Sequence, residues 1–248
     1  MIDMTGAPDD FYIGYEDRMP AATRQRVIAA VALFFVAAAA AGAGAVLGAR
    51  PLPDSRFAFG VESRVTGVLR RDPYPSLDVD GRRVWLAGRG KFGADAVLRA
   101  VPDGRVTISG AWIERGRQRM LEVHDMGSGT MSVHAPTRTE VVPDPTSGPV
   151  TLHGEIVDSK CFLGVMNPGE GTVHRDCAAR CLRGGMPPML VVRDGTGREE
   201  LVVLVSEDGA PAGSAIARLA GRPIRVTGRL VRDGDDYVLF ARTYEPTN

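Results

Sequence analysis

TISGAWIERG at residues 107–116 and RVTGRLVRDG at residues 225–234 follow one pattern: alternating apolar and polar positions, a glycine in fourth place, and a glycine-ended turn. The segments before each copy also correspond. SRVTGVLRR (63–71), YPSLDVDGRRVWLAG (74–88) and GADAVLRAVPDG (93–104) precede the first. VTLHGEIVD (150–158), PPMLVVRDGTGREELVVLVS (187–206) and GSAIARLAGR (213–222) precede the second. A period of two marks half-buried strands, and the DG, RDG and ERG triplets sit where hairpins need positive φ. Each copy therefore predicts five short strands, with glycine inside the first and fourth and an apolar linker after the third. That is the layout of an oligonucleotide/oligosaccharide-binding (OB) barrel, whose strand glycines permit the bends that close the sheet. The expected fold is mainly β: a single N-terminal transmembrane helix, then two tandem OB-like β-barrel modules, the second with an inserted Cys/His helix. The modules span 50–130 and 150–248. The Ser-, Thr-, Gly- and Pro-rich linker 131–149 separates them, with room for one strand at Thr139–Val142. A β-sandwich built from the same strands is the alternative.

The transmembrane expectation rests on residues 27–49, VIAAVALFFVAAAAAGAGAVLGA, which carry no charge. At 1.5 Å per residue, a helix of that length covers roughly the 30 Å of a bilayer's hydrocarbon core. Arg18, Arg24 and Arg26 precede it and Arg50 and Arg56 follow it, a bias that places the amino end in the cytoplasm and the bulk in the periplasm or outside. A cleaved signal peptide is the rival. Against it, the expected cytoplasmic tail 1–26 is long, acidic and aromatic (DDFYIGYEDR), unlike a short basic leader. The chain has 30 basic and 30 acidic residues and only 6% aromatics, which argues against nucleic acid as a partner.

All three cysteines fall in the insertion 159–187 of the second module. HRDCAARC (174–181) predicts a helix from Val173 to about Arg183, capped by Thr172 and ended by Gly184-Gly185. At about 100° per residue, His174, Cys177 and Cys181 share roughly 60° of arc, and Cys161 stands at the end of a strand nearby. Cys161, His174, Cys177 and Cys181 are therefore candidate ligands of a Cys3His site for zinc or copper, with Asp158 an alternative ligand or the partner that orients the histidine. The favoured reading of these thiols is nonetheless a structural disulfide, with the metal site and redox-active thiols as the alternatives. Cys161 can pair with Cys177 or Cys181 as a structural disulfide, leaving one spare thiol, or the thiols can serve thiol–disulfide exchange.

His124, His134 and His153 are isolated and read as surface residues; Met186, Met189 and Met166 flank the cysteines and read as core, with thioether help to Cu(I) the alternative. GRGKFG (88–93) lacks the spacing of a phosphate loop and reads as a turn. With no nucleophile–base pair or paired acidic site, a binding or assembly module is favoured over an enzyme. The favoured role is an accessory subunit or assembly factor of a membrane redox complex, with a protein partner in the membrane. Metal handling and thiol–disulfide exchange are the alternatives.

GEIVDSKC and HRDCAARC together resemble uncharacterised exported or membrane-anchored bacterial proteins. In these an OB-like domain carries a D-x-x-C … H-x-x-C-A-x-x-C segment, matched here by Asp158, Cys161, His174, Cys177, Ala178 and Cys181. The resemblance covers the second module only and implies no activity. One anchor followed by an OB-like barrel is also similar to the layout of the haem chaperones of cytochrome c maturation, from which no residue carries over.

Overall fold

The computed structural model describes residues 19–48, 54–125 and 148–247, which belong to two units: an amino-terminal helix and a β-rich body. The helix, α1 (Ala21–Gly48), is apolar on all sides after Arg26 and buries none of its side chains. It is long and apolar enough to cross a membrane. It starts six residues before the expected Val27, because Arg24 donates its N–H to Pro20 O at 2.9 Å and the TRQR turn is already helical. Apolarity marks what a bilayer accepts, whereas Ala, Arg and Gln propagate helix in water as well. The strand expected at Thr139–Val142 and most of the tail and linker lie outside the described residues.

The body contains two five-stranded closed barrels of the same topology, so the sandwich is excluded. The first is built from β2 (Ser63–Arg70), β3 (Ser76–Val79), β4 (Arg82–Ala87), β5 (Gly104–Arg115) and β6 (Gln118–Asp125). Its opening strand pairs with the second and fourth, and β4 runs parallel to β6. The second barrel repeats this with β7 (Val150–Asp158), β8 (Pro188–Arg193), β9 (Glu199–Ser206), β10 (Pro223–Asp233) and β11 (Asp236–Pro246), where β9 is parallel to β11. A three-residue strand that the sequence pattern did not indicate, β1 (Ser55–Phe57), adds to the outer edge of β5. The linkers after the third strands form the short helices α2 (Asp95–Leu98) and α4 (Gly213–Ile216). Leu98 and Ile216 pack into the barrel interiors from them.

The glycines close the barrels by letting strands approach. Both fourth strands have a bulge at the glycine, between Ser109 and Gly110 and between Thr227 and Gly228. A Cβ at either position would lie 2.2 Å from a carbonyl oxygen of the next strand, Glu122 O or Phe240 O. Strong coiling is thus available only where the side chain is absent.

The barrels also share a core. Tyr74, Trp85, Ile113 and Met120 of the first pack with Phe162, Met186, Met189, Val203 and Phe240 of the second. The Tyr74 hydroxyl crosses the seam, donating to Leu204 O at 2.8 Å and accepting the Ala212 N–H at 2.9 Å. At the rim, Arg115 grips Glu199 with two bonds of 2.9 and 3.0 Å. Between β7 and β8 the insertion forms a wide turn, Cys161–Val165, and helix α3 (Arg175–Arg183). Ala178, Ala179 and Leu182 seat α3 against the interior of the second barrel beside Ile216 and Ala217.

Gly228→Ala is expected to lower the stability of the full chain by about 1–3 kcal/mol, the usual cost of forcing atoms into a filled space. Gly195→Ala, where an added methyl meets nothing within 4 Å, leaves the denaturation midpoint in detergent unchanged. Equal effects of the two substitutions would contradict this account of closure.

Candidate metal centre

Strand β7 ends at Asp158, whose side chain is fully buried. One carboxylate oxygen accepts the backbone N–H of Cys161 at 2.9 Å and so begins the wide turn; the other lies 3.1 Å from His174 Nε2. A single carboxylate thus fixes both the strand-end cysteine and the residue that precedes α3. The helix starts two residues later than expected, with His174 rather than Thr172 at its cap. At the other end, Gly184 donates to Arg180 O and Met186 to Cys181 O, each at 3.0 Å, as the glycine-ended reading anticipated.

The sulfurs of Cys161, Cys177 and Cys181 all lie within 4.8 Å of one another. Ligand atoms of Asp158, Cys161 and His174 form a second group of the same tightness. The expected set therefore appears as two overlapping triads that share Cys161, with His174 on the Asp158 side. All three cysteines are free, so the expected staple from Cys161 to Cys177 or Cys181 is not formed. Instead the Cys161 and Cys181 side chains are hydrogen-bonded to each other. That hydrogen bond, reinforced by burial, pushes Cys161 far above the usual thiol range; the same bond pulls Cys181 below it, against the opposing effect of burial. Cys161 and Cys181 are buried at the seam, while Cys177 is half-buried.

Lys91 belongs to the site, and the sequence reading did not include it. GRGKFG is a turn, as expected, but it docks on the far barrel and brings Lys91 Nζ to 2.7 Å from Cys177 Sγ. That hydrogen bond raises the lysine's proton affinity. Gly93 donates to Gly184 O at 2.8 Å, and a Cβ at Gly184 would lie 2.0 Å from Lys91 O, so glycine is needed on the receiving side. Lys160 holds the loop from beneath. Its buried ammonium donates to Gly88 O at 2.8 Å and Gly90 O at 2.9 Å and pairs with Glu122 of β6. His124, read as an isolated surface residue, sits 3.2 Å from the same Glu122. Met186 and Met189 are core, as expected; Met166, expected there too, is exposed instead, on the stretch between the wide turn and α3.

Three convergent sulfurs with an imidazole alongside form a donor set suited to thiophilic ions such as Zn(II) or Cu(I). Lys160→Met is expected to cost about 3–5 kcal/mol, because it strands the Glu122 carboxylate in the seam. Adding Glu122→Leu recovers much of that loss; chemical denaturation of the two variants checks it, and a further loss in the double variant would contradict it. No protein-family model and no curated protein matches this chain.

Proposed function

We propose that the protein is a membrane-anchored accessory module of the cell envelope that holds one thiophilic ion, Zn(II) or Cu(I), between Cys161, Cys177 and Cys181. The convergence of three unbonded sulfurs within 4.8 Å carries this reading. The charges support it too. Three thiolates with a divalent ion leave one negative charge, and the Lys91 ammonium beside Cys177 offsets it. For zinc, His174 is the fourth ligand and Asp158 holds its imidazole in one orientation, the usual role of a carboxylate behind a ligating histidine. For Cu(I), the three sulfurs suffice.

In this proposal α1 is the anchor, with the amino end in the cytoplasm and the barrels outside, following the arginine bias around the apolar run. The partner is a protein of the same membrane, as expected of a subunit or assembly factor of a redox complex. Phe59 and Phe92, at 76% and 65% exposure, offer it apolar contacts.

The full chain, purified in detergent under reducing conditions, is expected to retain one zinc or copper ion per chain by elemental analysis. Cys161→Ser, Cys177→Ser and Cys181→Ser each abolish retention, and acidification releases the ion because the thiols must deprotonate to bind it. A chain that retains no ion, or whose cysteine variants retain it undiminished, would overturn the proposal.

A further inference from the structure

Lys91 Nζ stands closer to the sulfur of Cys177, at 2.7 Å, than Lys160 Nζ stands to either of its carbonyl oxygens, at 2.8 and 2.9 Å. Sulfur is much the larger atom, so an ordinary amine–sulfur contact would be the longer of the two. The gap is the span of one bridging atom. From this the geometry points to a modification site: an oxidant-dependent N–O–S cross-link between Lys91 and Cys177 that ties the first barrel covalently to the second.

The pair is held in place for such a reaction. Cys177 lies in the first half of α3, whose buried face is seated on the second barrel. Lys91 sits in a loop pinned on both sides: Lys160 grips Gly88 O and Gly90 O, and Gly93 bonds to Gly184 O at the helix end. The loop also closes on itself, with Gly88 donating to Phe92 O at 2.9 Å. Reacting atoms held at near-attack distance by a rigid scaffold need no search, which is the largest advantage an intramolecular reaction has. Cys177 is also the least buried of the three cysteines, so a small oxidant reaches it first.

The oxidant is hydrogen peroxide, and two molecules are consumed. The first oxidises the Cys177 thiol to a sulfenic acid, Cys–S–OH, and leaves one water. In the second step the sulfenic oxygen bonds to Lys91 Nζ. One N–H bond and the O–H bond break, one N–O bond forms, and the second peroxide takes up the two protons and two electrons so released, its O–O bond breaking to give two waters. The product is Cys177–S–O–NH–Lys91. Thiol reductants return it to the amine and the thiol. While the link stands, Cys177 is removed from the sulfur triad.

The test uses the full chain in detergent, reduced, stripped of metal with a chelator, and treated with hydrogen peroxide. Tryptic digestion without reductant is expected to give residues 90–99 joined to residues 176–180. The mass of the joined pair is that of the two peptides plus one oxygen less two hydrogens, and a thiol reductant separates them. Lys91→Arg, which keeps the positive charge, gives no joined peptide. Recovery of Cys177 as a disulfide or a sulfinic acid, with the chain cleaved after an unmodified Lys91, would overturn the inference, as would a joined peptide in Lys91→Arg. Zinc retention by Lys91→Arg is read separately, so failure of the cross-link and failure of the metal site are distinguishable.

Discussion

The Asp158 carboxylate is the constraint on which the site depends. It lies at the end of the second barrel's opening strand, fully buried, with one oxygen committed to the Cys161 N–H and the other to His174. A carboxylate can occupy such a position because both its oxygens are engaged; left unpaired there it would destabilise the body. Its two bonds force the chain leaving β7 into a wide turn and fix where the returning segment enters α3. The sulfur at the turn and the two sulfurs on the helix then have little choice but to meet.

The second constraint is supplied by the other barrel. Cys161 and Cys181 are buried because the first barrel covers them with Trp85, Ile113 and Met120, and Cys177 is addressed because its loop delivers Lys91. Each module contributes what its twin lacks: one has gained an insertion with the ligating side chains, the other presents a pinned loop in the equivalent sheet. The buried Lys160–Glu122 pair joins these features, linking the residue before Cys161 to a strand and a loop of the first barrel. Such a pair adds little net stability compared with apolar packing, but it specifies one register of barrel on barrel.

Local signals carried the fold. The glycines of the fourth strands, the Asp80-Gly81 turn with both residues at positive φ, and the glycine end of α3 each state a backbone requirement that nearby residues reveal. The seam between barrels left a subtler trace. VWLA in β4 and LVVLV in β9 are continuous apolar runs, the sign of strands buried on both faces, whereas a lone barrel in water needs only alternation. The helical periodicity of HRDCAARC placed two sulfurs and the imidazole on one face, but it could not show that His174 would turn toward Asp158. Lys91 was not legible at all. It lies 86 residues from Cys177, and no period or spacing in a sequence encodes a contact between a turn in one module and a helix in the other.

The central claim is that three cysteine sulfurs form one ligand set, and X-ray absorption at the metal edge of the zinc-loaded full chain addresses it most directly. The account predicts a first shell dominated by three sulfurs with a single lighter neighbour, and outer scattering from an imidazole ring that is lost in His174→Ala. A first shell of oxygen and nitrogen, with one sulfur or none, would contradict it.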